Sequence, residues 1–64
     1  MDEFLKGFAV GAGIDDEDAD DKWATFSRRM TFAQKLGIER GGKPAGVREG
    51  KMFARLYPGG EVEV

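Results

Sequence analysis

The chain has 64 residues, with 10 Lys and Arg against 12 Asp and Glu, a net charge of −2, and neither Cys nor His. Those absences exclude disulfides, thiolate chemistry, Cys- or His-based metal sites and a serine–histidine–carboxylate triad. What remains for catalysis is carboxylates, lysines and Tyr57, and so short a chain hardly encloses a cavity for them, so a non-enzyme without cofactor or metal is expected. Of 26 apolar residues seven are Ala, so the core is small and a partner that supplies buried surface is expected.

Residues 1–14 predict a helical segment. Asp2 and Glu3 suit a helix N-terminus, and Phe4, Leu5, Phe8, Ala9 and Ala12 recur at helical spacing. The plain reading is a short helix weakened by glycine and ending at Gly11 or Gly13. Gly7 and Gly11 also form a small-xxx-small pair that lets another backbone come close. The stretch is too short to span a bilayer and lacks the features of a signal peptide, so a cytoplasmic or virion-internal setting is expected.

Residues 15–21 hold six acids in seven positions, and their mutual repulsion predicts an exposed, extended linker. A calcium loop starting at Asp16 would need Gly where Asp21 stands and Glu where Ser27 stands.

Residues 22–57 read as a basic helical body. Trp23, Phe26, Met30 and Ala33 make one apolar stripe and predict a helix over 22–36, N-capped by Asp20 or Asp21, with Phe32 and Leu36 adjoining and Gly37 as the stop. Residues 37–46 have the composition of a loop, with Ile38 turning back onto the core. For the rest, one reading is a helix from about Pro44 to Tyr57 with Gly46, Gly50 and Ala54 on a thin face; the other is a hairpin turning at Pro58–Gly60. Helix-forming Lys, Met, Ala, Arg and Leu favour the first. The predicted fold is therefore mainly α, with two or three short helices, an acidic linker, a Gly-rich loop and an extended tail over 58–64; the alternative is α+β with a C-terminal hairpin.

Charge is strongly segregated. Residues 1–21 carry eight acids against Lys6, a net −7; residues 22–57 carry nine bases against Glu39 and Glu49, a net +7; Glu61 and Glu63 bring the total to −2. Either the acidic run folds back on the basic body, or each half faces its own oppositely charged neighbour.

Two motifs fall short. Gly37–Lys43 matches the spacing of a phosphate loop, but Pro44 stands where Ser or Thr would bind magnesium. Phe32–Ile38 resembles the first helix and turn of a helix-turn-helix, yet Glu39–Pro44 follows where a recognition helix should begin, so no family is assigned.

The leading expectation is a non-enzymatic interaction protein, a subunit or accessory factor of a larger assembly such as a phage or virion complex. It would bind a protein partner or its own copies through Trp23, Phe26, Met30, Asp15, Asp16 and Asp18. One alternative is nucleic-acid binding by Arg28, Arg29, Lys35, Arg40 and Lys43, with Trp23, Phe53 or Tyr57 stacking on bases. A further alternative is an inhibitor whose acids imitate phosphates.

Overall fold

A computed structural model describes residues 2–59. Within them the chain is mainly α, with four helices: α1 (Glu3–Ala12), α2 (Asp16–Phe26), α3 (Phe32–Glu39) and α4 (Gly42–Leu56). A single 3₁₀ turn, Ser27–Arg29, continues α2. Pro58 and Gly59, which open the tail expected over 58–64, form a turn, and residues 60–64, which hold the rest of that tail and the hairpin's second strand, lie outside the described residues.

Helix α1 begins at Asp2, whose carboxylate accepts the Leu5 N–H at 2.8 Å. It ends at Gly13, which takes φ 70°. The Ile14 N–H reaches the Ala9 carbonyl at 3.0 Å and the Gly13 N–H reaches that of Val10 at 3.3 Å, a Schellman closure. Ile14 is thereby turned onto the core.

The acidic run is not a linker: Asp16–Asp21 form the first half of α2. Asp16, Glu17 and Asp18 occupy the first turn, where the positive end of the helix dipole favours carboxylates. Ala19 and Trp23 then bury one face of the helix against Phe4 and Phe8. Repulsion between exposed like charges one turn apart costs only about 0.2–0.5 kcal/mol per pair, far less than burial of a Trp contributes.

The helix expected over 22–36 is broken in two. Thr31 and Gln34 form a reciprocal capping box, with Gln34 N–H donating to Thr31 Oγ1 at 3.1 Å and Thr31 N–H donating to Gln34 Oε1 at 3.0 Å. This second start outcompetes continuation of the apolar stripe. Gly37 therefore sits inside α3 and stops nothing. The glycine-rich stretch is no loop either: α3 runs to Glu39, Arg40 and Gly41 make the turn, and Gly42, at φ 70°, opens α4. Pro44 occupies the third helical position, where its missing N–H has no intrahelical partner to lose. Of the two readings for 47–57, the helix is the one observed.

Helices α1 and α4 form the backbone of the packing. They run parallel, since Phe4 lies over Gly46 and Phe8 over Gly50. Glycine makes the approach possible from both sides. A Cβ on Gly46 would lie 2.8 Å from Phe8 N and one on Gly50 2.7 Å from Ala12 N; Cβ atoms on Gly7 and Gly11 would lie 3.0 Å from Val47 N and Lys51 N. The two small-xxx-small pairs are thus one interlocked seam.

Six aromatic rings assemble around that seam. Phe4 and Trp23 stand 4.7 Å apart and Phe8 and Phe53 5.5 Å apart, while Phe26 meets Phe53 and Tyr57 edge-on at 5.6 and 6.0 Å. Tilted and edge-on pairs add about 0.5–1.5 kcal/mol each beyond burial alone.

Candidate protein-interaction surface

Helix α3 is held differently from the others: none of its residues is buried. Its tie to the core is one charge-assisted hydrogen bond, in which Trp23 Nε1–H donates to Glu39 Oε2 at 2.6 Å. Ile38 adds partly buried apolar contact with the core. Phe32, at its first position, is 79% exposed and is the one aromatic residue of the chain left out of the cluster.

On the side of α3 facing α4 an open groove of about 560 Å³ remains. It is lined by the small residues Ala33, Gly37, Gly41 and Ala45, the apolar Met30 and Ile38, and the polar Gln34 and Arg48. The small lining residues recur every four positions, as in the α1–α4 seam, but a Cβ on Gly37 would meet nothing within 4 Å, whereas one on Gly41 would lie 2.6 Å from Ala45 Cβ.

The fold also sharpens the charge division. Asp15, Asp16, Glu17, Asp18, Asp20 and Asp21 are all exposed, and none has a basic partner within 4.0 Å among the described residues. The ion pairs found there are Lys6–Glu3 at 3.5 Å within α1 and Arg48–Glu49 at 4.0 Å within α4. The acidic run is therefore not folded back onto the basic body.

The two acids of that body are turned inward. Glu39 is half-buried on Trp23, and Glu49 is 6% exposed, on the same stripe of α4 as Ala45 and Phe53. From Lys22 to Tyr57 every fully exposed ionisable side chain is a base: Arg28, Arg29, Arg40, Lys43, Arg48, Lys51 and Arg55. Arg48, Lys51 and Arg55, spaced three and four apart, line the outer face of α4. Met52 and Leu56 lie exposed beside them.

The residues expected to bind partners separate into three environments. Trp23, 2% exposed, is taken up by the internal core; Phe26 and Met30 are half-buried against it, with Met30 also reaching the groove; Asp15, Asp16 and Asp18 face solvent. Of the basic set, Arg28, Arg29, Arg40 and Lys43 are exposed and Lys35 is half-buried. The rings offered for base stacking are not free, because Trp23 and Phe53 are buried and Tyr57 is half-buried. The groove and the exposure of Phe32 escape sequence reading, since both depend on where α3 docks. The Thr31-x-x-Gln34 box was there to be found.

Among the described residues no three carboxylates converge as a metal site, and no helix is long and apolar enough to cross a membrane. The fold and surface define a small helical protein with segregated charge. No family model, curated protein or solved structure matches the chain.

Proposed function

We propose that this chain is a non-enzymatic interaction protein, a small subunit or accessory factor that binds another protein through its segregated charge. A phage or virion complex is one setting for such a subunit. The observation that carries the reading is the acidic outer face of α2, exposed and without a basic partner among the described residues, and the basic outer face of α4, exposed and paired there only through Arg48 with Glu49 at 4.0 Å. Complementary charged patches of this kind steer association and select partners. The open groove beside α3 and the exposed Phe32 add apolar surface that a partner can cover. Size exclusion with light scattering, on the natively purified chain at low and high ionic strength, tests the reading. An assembly that dissociates as salt rises is expected; a bare monomer at low ionic strength overturns it.

Nucleic-acid binding is the second reading, favoured by one observation. Helices α3 and α4 are joined by a two-residue turn, and the second of them carries the exposed Arg48, Lys51 and Arg55. Binding of mixed DNA and RNA at low salt, weakened by Arg28→Glu with Arg29→Glu and with a reduced salt slope, is the result that favours this reading over the first.

A further inference from the structure

We infer that copies of this chain associate head to tail, the acidic outer face of α2 in one copy docking on the basic outer face of α4 in the next. The inference rests on the interaction reading above and names its partner.

The two faces are opposite in sign and comparable in reach. On α2, Glu17, Asp20 and Asp21 lie within one outward stripe with Ala24, and all four are exposed. On α4, Arg48, Lys51 and Arg55 extend over seven residue steps, about 10 Å of helix at 1.5 Å per residue, against about 6 Å for the three acids and the same seven steps once Ala24 is included. The basic stripe has no exposed acid on its helix, and Lys22, the one base of α2, is half-buried outside the acidic stripe. Small Ala24 at the end of the acidic stripe leaves room for the exposed Met52 and Leu56 beside the basic one. Contact between the stripes would cover apolar side chains as well as pair charges.

Charge also selects the geometry. A symmetric pair built on α4 would set Arg48, Lys51 and Arg55 of one copy against the same residues of the other, and a pair built on α2 would set acid against acid. Like charges brought face to face oppose both. Only the unlike contact is attractive, and it either closes reciprocally, α2 on α4 in both directions of a twofold pair, or repeats into a ring or an open chain. A nucleic acid on α4 would leave the α2 acids unneutralised and repel them, so a second copy accounts for more of the surface.

The test uses the full chain and two face variants, Asp20→Lys with Asp21→Lys and Lys51→Glu with Arg55→Glu, each checked for helical circular dichroism. Sedimentation velocity at low ionic strength should show a wild-type mass that rises with concentration and returns to the monomer at high salt. Each variant should weaken self-association at least about tenfold in dissociation constant. Mixing the two reversal variants should restore association, because the native and the charge-swapped α2–α4 contacts are both unlike, whereas mixing the neutral variants Asp20→Asn with Asp21→Asn and Lys51→Gln with Arg55→Gln should give a 1:1 dimer through the one contact left. Should either reversal disturb folding, Asp20→Asn with Asp21→Asn and Lys51→Gln with Arg55→Gln should weaken association in the same order. A wild type that stays monomeric at low salt overturns the inference, as does association that survives in either variant or a mixture of the reversal variants in which association is not restored. A monomeric wild type that purifies with a different protein overturns the head-to-tail contact alone and leaves the interaction reading standing; one that binds only nucleic acid overturns both.

Discussion

The molecule contains two seams of small residues at four-residue spacing, and they have opposite fates. Between α1 and α4, Gly7, Gly11, Gly46 and Gly50 interlock until each helix touches the other's backbone. Between α3 and α4, Ala33, Gly37 and Gly41 carry the same spacing, yet they line an open groove that closes only where Gly41 meets Ala45. The difference lies in what surrounds the small residues. Phe4, Phe8 and Phe53 flank the first seam and drive the helices together by their own burial. The second has only Met30 and Ile38 as larger apolar lining, together with the polar Gln34 and Arg48. Small residues permit contact; large apolar neighbours enforce it.

Substitutions that fill each seam separate the two cases. The largest effect is expected at the closed seam. Gly50→Ala would drive a Cβ into the α1 backbone, with Ala12 N 2.7 Å away and no flexible side chain to yield. A loss of about 3 kcal/mol is expected, beyond the gain in helix propensity, and urea denaturation measures it. Gly46→Ala should behave alike, since its Cβ meets the backbone of Phe4 and Phe8.

Next comes the anchor of α3. Glu39→Ala leaves the buried Trp23 N–H without its acceptor and should cost about 1–3 kcal/mol. Tryptophan fluorescence should report it, by an emission shift toward the solvent-exposed value if α3 lifts away. Thr31→Ala removes one half of the capping box and should cost about 1 kcal/mol, read as lower thermal stability with little change in the fluorescence of the native state.

The smallest effect has the opposite sign. Gly37→Ala meets nothing within 4 Å, lies inside a helix and does not occupy a positive φ. It should stabilise by up to about 1 kcal/mol, measured in the same urea titrations. A destabilising Gly37→Ala beside a neutral Gly50→Ala would reverse the comparison and the packing assigned to both seams.

Much of this was legible locally. Asp2, Gly13 and the helical spacing of Phe4 and Phe8 predict α1; the good helix formers before Tyr57 predict the end of α4. Expectations failed where two local signals competed. The acids of α2 read as a repelling run, but exposed repulsion is weak and Ala19 and Trp23 supply a buried face. The stripe Trp23–Ala33 reads as continuous, but the Thr31–Gln34 cap restarts the helix inside it. Of the surface, the identity of the charges could be read directly; their exposure could not.

By itself the sequence determined which residues could approach closely, where helices could start and stop, and that acid and base are divided along the chain. Those properties are local, set by backbone freedom, capping chemistry and composition. The tertiary structure decided which glycines close a seam, that Glu39 serves Trp23 from 16 residues away, that Glu49 turns inward, and that Phe32 alone among the aromatics stays outside. Each of these depends on the docking of helices distant in sequence, where burial of large apolar side chains outweighs any local preference. The same docking leaves the basic face of α4 without exposed acids, turning a division along the chain into one across the surface.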